Sequence, residues 1–128
     1  MIEKLFSNPN YAMSKTMLDV AAARHTALAS NIANVETPGY HRVDVSKSFL
    51  QQLQQQFKTG EPTTATDASK PMIETDSTAT GARADGNNVQ LDNELLQMGS
   101  NGLQYETLTN FVSNSLIQLK TAITGNIT

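Results

Sequence analysis

The sequence predicts a mainly α-helical fold, in which long helices near the two ends form an elongated, antiparallel, coiled-coil-like pair. A short helix and an irregular Thr-rich segment lie between them. Three observations support this prediction. Apolar residues recur every three or four positions near both ends, as on one face of a helix. The middle lacks such a period, and only 5% of residues are aromatic, so packing relies on aliphatic, Met and Ala side chains.

The first long helix is predicted to begin at Asn8-Pro9, because asparagine is a favoured N-cap and proline a favoured first helical residue. Apolar residues then follow helical spacing from Tyr11 to Val35. Pro38 disfavours helical geometry at the residue before it, and Pro38-Gly39 suits the centre of a type II turn. We therefore expect the helix to end at Val35 or Glu36.

The middle of the chain combines one short helix with a long irregular stretch. Ser46 to Phe57 places its apolar residues on one helical face and glutamines elsewhere. Residues 59–80 carry seven threonines, two prolines and one glycine, a composition typical of a loop or an extended linker. At most a short strand is expected around Met72–Thr75. Gly81 to Asn88 is predicted to be a cluster of turns.

The second long helix is predicted from Leu91 to Ile123, where apolar positions alternate in steps of four and three. A sustained heptad repeat favours coiled-coil packing, because a period of 3.5 residues keeps one face towards a partner helix. Gly99 and Gly102 each cost about 1 kcal/mol relative to alanine inside a helix. We interpret them as sites of close helix approach or of a bend, and Gly125 as the C-terminal cap.

Composition excludes several classes of function. Nine basic against twelve acidic residues give a net charge of −3 without a basic patch, which disfavours nucleic-acid binding. The absence of cysteine excludes disulfides and Cys-ligated zinc. No run reaches the roughly 18 apolar residues of a membrane span. The N-terminus lacks a cleavable signal peptide, so a cytosolic protein is expected unless export proceeds without cleavage.

Chemistry-bearing residues are present but isolated. His25 lies on the apolar stripe of the first helix and His41 follows the turn, and neither fits a metal-ligand spacing. Asp92 and Glu94 are interpreted as favourable charges at a helix N-terminus rather than as a catalytic carboxylate pair. Nucleophile–base and phosphate-binding motifs are missing. We therefore expect no enzyme activity, no metal, no cofactor and no small-molecule substrate.

The segment from Ser30 to Tyr40 reads Ser-Asn-Ile-Ala-Asn-Val-Glu-Thr-Pro-Gly-Tyr. Asn31 and Asn34 lie close to the apolar stripe and allow two interpretations, helix-end capping or control of register within a helical interface. Tyr40 is either a local contact after the turn or an anchor within an interface.

This segment resembles the signature of the flagellar basal-body rod protein family, which has a small residue, Asn-Ile-Ala-Asn, two variable positions and Thr-Pro-Gly-Tyr. Residues 85–89, Asp-Gly-Asn-Asn-Val, and several positions of the second long helix are most similar to the proximal subunit of the rod. The resemblance covers roughly residues 8–58 and 85–123.

The resemblance implies an exported structural subunit that polymerises into the rod of the basal body and transmits torque from the membrane ring towards the hook. Implied partners are further copies of the chain, other rod subunits, the adaptor protein at the base of the rod and the flagellar type III export apparatus, which does not cleave its substrates. The expected parts of the chain are residues 1–36, an axial helix, residues 37–88, the turn and middle, and residues 89–128, the heptad helix.

The assembly interface is expected on the apolar stripes of both helices and on the signature segment. Its predicted members are Leu18, His25, Leu28, Asn31, Ile32, Asn34, Val35, Thr37, Pro38, Gly39, Tyr40, Leu91, Leu95, Met98, Gly102, Tyr105, Val112, Leu116, Leu119 and Ile123. Two alternatives are another rod subunit of the same family and a secreted coiled-coil interaction protein or chaperone.

Overall fold

The computed structural model describes residues 9–59 and 70–125. Within them the chain forms helix α1 (Pro9–Ala33), strand β1 (Val43–Val45), helix α2 (Lys47–Thr59), strand β2 (Ile73–Thr75) and helix α3 (Leu91–Thr124). The prediction of a mainly helical protein is confirmed.

Helix α1 begins at the predicted residue, Pro9, and ends at Ala33, before the predicted end at Val35 or Glu36. The Asn34 N–H lies 3.1 Å from the Ser30 carbonyl and 3.2 Å from the Asn31 carbonyl, so the last turn tightens. The predicted type II turn follows, since Gly39 has a φ of 70° and the Tyr40 N–H donates to the Thr37 carbonyl at 3.3 Å. The proposed N-cap, Asn8, lies outside the described residues.

A two-stranded antiparallel sheet connects the regions on either side of α2. The predicted strand is confirmed as β2, whose partner β1 was not predicted. Val43 pairs with Thr75, and Val45 pairs with Ile73. A three-residue strand is too short to show a pattern of its own, and such a small sheet depends on the helix it packs against. Part of the predicted Thr-rich linker, residues 60–69, lies outside the described residues.

Helix α2 closely matches its predicted bounds and packs one face on α1. Phe49 and Leu53 are buried together with Val45, which ends β1. Partly buried apolar side chains surround this cluster: Val20, Ala23, Leu50 and Phe57. The cluster joins α2 and β1 to the middle of α1 through apolar contact.

Helix α3 packs against α1 along the buried faces of both helices. Asn31 of α1 contacts Glu94, and the Ala21 carbonyl of α1 accepts a hydrogen bond from Asn101, so residue numbers rise along one helix as they fall along the other. Gly125 ends α3 as predicted, with a φ of 68° and its N–H donating to the Thr121 carbonyl. A membrane-spanning candidate is absent among the helices of residues 9–59 and 70–125.

The residues of the predicted heptad stripe of α3 differ in how deeply they are buried. Met98, Val112 and Leu119 are partly buried, whereas the other large apolar members are 40–63% exposed. We call these the exposed stripe: Leu91, Leu95, Tyr105, Leu116 and Ile123. Glu94 and Asn101 lie against α1, with 0% and 3% exposure, in place of the neighbouring heptad members Leu95 and Gly102.

The prediction that Gly99 and Gly102 mark a close helix approach is wrong for the described chain. A Cβ atom built on either glycine meets no heavy atom within 4 Å. Both glycines are exposed, while Asn101 between them faces α1.

Candidate assembly interface

The Asn31 side chain joins three elements at the end of α1. It is fully buried and forms a pair of hydrogen bonds with the backbone of Val43, donating to the carbonyl at 2.8 Å and accepting from the N–H at 2.9 Å. Its amide also donates to the Glu94 carboxylate at 2.9 Å. Because an amide can present a donor and an acceptor together, Asn31 pairs with the backbone of β1 as a neighbouring strand would.

Tyr40 folds back onto the last turn of α1. Its hydroxyl donates to the Asn31 amide oxygen at 3.3 Å and lies 3.0 Å from the Ser30 hydroxyl. Asn34 bonds more locally: its amide donates to the Ser30 carbonyl, and its side-chain oxygen accepts from the Thr37 hydroxyl. Of the two signature asparagines, Asn31 therefore makes the contacts between elements and Asn34 shapes the turn.

Asn87 binds the turn that follows α1 from the loop that precedes α3. It is fully buried, and its amide donates to the carbonyls of Asn34, Val35 and Thr37 at 3.0, 3.0 and 2.8 Å. Its side-chain oxygen accepts from the Val89 N–H at 2.8 Å. The Asn34 and Thr37 carbonyls also accept backbone N–H bonds within the turn, so the buried Asn87 amide joins the loop before α3 to the turn that follows α1.

Two glycines allow this loop to approach the signature turn. The Gly39 N–H donates to the Asp85 carbonyl at 2.8 Å, and a Cβ atom on Gly86 would lie 3.6 Å from the Gly39 Cα. Gly86 has a φ of 82°. A left-handed conformation at both positions favours glycine, because other L-residues are strained there.

Arg42 is the centre of a buried ionic network. Its side chain is 7% exposed, and its guanidinium bonds the Glu94 carboxylate at 2.6 Å, Asp76 at 2.7 Å and Asp44 at 3.2 Å. The remaining guanidinium nitrogen donates to the Gln97 side chain. Burial alone would lower the pKa of Arg42, but the hydrogen bond and charge of Glu94, followed by Asp44, outweigh it and raise the pKa.

Asp76 extends the network to the start of α2. Its carboxylate also accepts from Lys47 at 3.1 Å and from the Thr78 hydroxyl at 2.7 Å. Burial would raise the pKa of Asp76, but the hydrogen bonds from Thr78 and Lys47 hold the pKa well below its usual range. The carboxylate is therefore ionised at neutral pH.

The charges of the network balance. Arg24 bonds Asp44 at 3.2 Å, so three cations, Arg24, Arg42 and Lys47, face three carboxylates, Asp44, Asp76 and Glu94. A cluster of His, Cys, Asp and Glu suited to a metal ion is absent from the described ranges. The network joins the end of α1, the sheet and the start of α3, and we call this region the junction. Its role is structural.

Sequence reasoning missed several residues of this junction. Glu94 was interpreted as a charge at a helix N-terminus; it does lie in the first turn of α3, but its carboxylate is buried against Arg42. Asn87 is predicted to lie in a turn cluster and in the segment similar to the proximal rod subunit, but not to be a buried contact between elements. A signal was present in the spacing, because Glu94 and Asn101 lie one heptad apart and together define the buried face of α3.

Some of the predicted interface residues are buried inside the chain, and others are exposed on its surface. Leu28 and Asn31 are fully buried, whereas His25, Thr37, Pro38 and Gly39 are exposed. Leu18, Ile32, Asn34, Val35 and Tyr40 are partly buried. Gly102 and the exposed stripe lie on the surface of α3.

The chain is similar over most of its length to curated bacterial proteins. It is 31% identical over 134 aligned residues to the flagellar basal body rod protein FlgB of Aeromonas hydrophila, covering 96% of this chain and 95% of that protein. The chain belongs to the FlgB family of flagellar basal body rod proteins.

Relatives in other bacteria carry the same name. The chain is 29% identical over 115 residues to FlgB of Bacillus subtilis (strain 168), covering 84% of this chain and 88% of that protein. It is also 29% identical over 115 residues to FlgB of Escherichia coli (strain K12), covering 77% of this chain and 81% of that protein. No family model matches the chain. Membership of the FlgB family confirms the resemblance found in the signature segment.

Proposed function

We propose that this chain is a structural subunit of the proximal rod of the flagellar basal body. The observation that carries the proposal is the similarity to FlgB proteins over nearly the whole chain. The geometry agrees with a structural role, because the signature segment is used to lock α1 to α3 rather than to form a reactive cleft. The names of the relatives describe a rod protein and no reaction, which supports a non-catalytic role.

The α1–α3 pair is the load-carrying part in this proposal. The two helices act as an elongated, antiparallel, coiled-coil-like unit directed along the rod. They belong to the proposed axial parts of the chain, residues 1–36 and 89–128, and residues 37–88 are the proposed middle part. Helices of 25 and 34 residues are about 37 and 51 Å long at about 1.5 Å per residue. Close packing along such a length resists twisting, which suits a shaft that transmits torque.

Proposed partners follow from the place in the rod. They are further copies of the chain, the next rod subunit, the adaptor protein at the base of the rod, and the type III export apparatus that delivers the subunit without cleaving it. The proposed assembly interface is the predicted set of residues on both helices and the signature segment. A secreted chaperone or effector is not favoured, because the relatives are rod proteins.

The test uses a strain that lacks the gene for this chain. Basal bodies isolated from it should show membrane rings without rods by electron microscopy, and the wild-type gene should restore both rods and swimming. Truncated rods in the deletion strain would instead assign the chain to a later-adding subunit.

The same strain tests the apolar surface of α3. Leu116 is 42% exposed, so Leu116→Asp should leave synthesis and folding intact but prevent rod assembly. Gln118→Asp, a change at an exposed polar position two residues away, is the control and should restore swimming. Normal rods in the Leu116→Asp strain would refute the role of the stripe.

A further inference from the structure

An open groove lies where all three helices meet. Apolar side chains line most of it: Val20 and Ala21 of α1, Leu50 and Leu53 of α2, and Leu103 and Leu108 of α3. Its volume of about 620 Å³ accommodates several aliphatic side chains. Leu103 at its edge is 69% exposed, so the groove is an apolar surface that the described chain leaves uncovered.

A buried polar atom in the groove lacks a partner. Asn101 is 3% exposed, and its amide donates to the Ala21 carbonyl at 2.9 Å. Its side-chain oxygen accepts no hydrogen bond from any residue in the ranges that the structure describes. An unsatisfied buried acceptor is unfavourable, so an occupant that brings an O–H or N–H with its apolar side chains fits this groove.

The exposed stripe lies on a different flank of α3 from the groove. Successive residues turn by about 100° around a helix, so Ser100, which lines the groove, lies about 140° around the axis from Leu95. Tyr105 lies only about 40° around the axis from Asn101, so it borders the groove. One copy can therefore offer its stripe to a neighbour while its own groove receives the stripe of another copy.

We propose that the groove binds the exposed stripe of α3 from a second copy of this chain, an inference that rests on the proposed rod function and names the contact between copies. The stripe supplies apolar side chains at heptad spacing and, from Tyr105, a hydroxyl donor for the Asn101 oxygen.

The area of the contact agrees with association that depends on many copies. From Leu91 to Ile123 the stripe is about 48 Å long, and a helix is about 10 Å wide, so the whole face offers at most roughly 500 Å² to a contact. Specific stable interfaces bury about 800 Å² on each partner. A single contact is therefore weak, and each copy gains stability by using its groove and its stripe together.

The two surfaces of this contact differ, and that asymmetry determines the kind of assembly. The two copies contribute different surfaces, so the contact is heterologous and generates a ring or an open helical array rather than a closed dimer. Continued front-to-back addition is the property that a rod requires.

The test pairs two surface variants whose defects are complementary. Leu95→Arg disables the stripe and leaves the groove intact, whereas Leu103→Glu disables the groove and leaves the stripe intact. The two positions are 52% and 69% exposed, so both variants should fold normally. Sedimentation velocity of the full chain over rising concentration should show oligomers for wild type and at least a tenfold loss of association for each variant alone.

Mixing the two variants gives the decisive result. The intact groove of one and the intact stripe of the other should restore a 1:1 dimer that grows no further. Ile117→Glu, at a position 54% exposed and outside both surfaces, is the matched control and should associate as wild type does.

Two outcomes would overturn the proposal: a mixture that stays monomeric, which indicates a stripe-to-stripe contact or another occupant, and a wild-type chain that never associates. Neither outcome affects the proposed rod function, which is judged by rod assembly in the deletion strain.

Discussion

Replacing Glu94 by alanine should strongly destabilise the fold, because it removes the carboxylate that joins Arg42 and Asn31. Breaking a buried ion pair by deleting one partner costs about 3–5 kcal/mol. Arg42 keeps its contacts with Asp76 and Asp44, at 2.7 and 3.2 Å, so the lower end of that range, about 3 kcal/mol, is expected. For a domain of this size that is a fall in the melting temperature of roughly 10 °C.

The measurement is urea and thermal unfolding at pH 7, followed by circular dichroism at 222 nm. Glu106→Ala is the matched control, because Glu106 is an exposed glutamate on the same helix, and a surface change of this kind costs no more than about 0.5 kcal/mol. Glu94→Gln keeps the shape of the side chain but loses its charge, so its destabilisation should be intermediate. Equal stability of the two alanine variants would refute the importance of the network.

Further predictions concern Asn87, the acid response and the glycines. Asn87→Ala leaves the buried Val89 N–H without its acceptor and removes one donor from each of three turn carbonyls, so it should cost about 1–3 kcal/mol in urea unfolding, against little change for Asn110→Ala. The pKa of Asp76 is lowered on folding, so its stabilisation is present above pH 4 and is lost as the pH falls towards the folded pKa. Asp76→Asn should therefore lower stability at pH 7 and flatten its decline between pH 5 and 3, and an unchanged decline would contradict this. Gly39→Ala should cost about 1–2 kcal/mol, because its φ of 70° is strained for alanine. Gly102→Ala should stabilise the isolated chain by up to about 1 kcal/mol, because the position is helical and a Cβ meets no neighbour there. Changes of the same sign at the two glycines would show that backbone conformation does not decide their effects.

The helices could be predicted because their signals are local. Pro9 and Gly125 mark the start of α1 and the cap of α3 through backbone geometry that depends on each residue alone. The turn at Gly39 was predictable for the same reason. Strand β1 was missed, because three residues carry no period and their pairing with Ile73–Thr75 depends on a segment almost thirty residues away.

The junction was predictable only in part. The signature showed that Asn31 and Asn34 were unusual, but their different roles depend on what surrounds each side chain. Asn31 faces Val43 and Glu94, whereas Asn34 faces its own turn. Arg42 carried no local signal, since a single arginine in a loop is most often a solvated side chain. Asn87 lies in the segment similar to the proximal rod subunit, but that similarity does not show which groups its side chain binds.

The sequence by itself determined the two long helices, the turn between α1 and the junction, and membership of a rod protein family. These follow from hydrophobic period, from the backbone preferences of proline and glycine, and from a recognisable signature. The tertiary structure alone decided which face of α3 is buried. Arg42 requires a carboxylate in the low-dielectric junction, so Glu94 rather than Leu95 faces α1, and half of the heptad stripe is left at the surface.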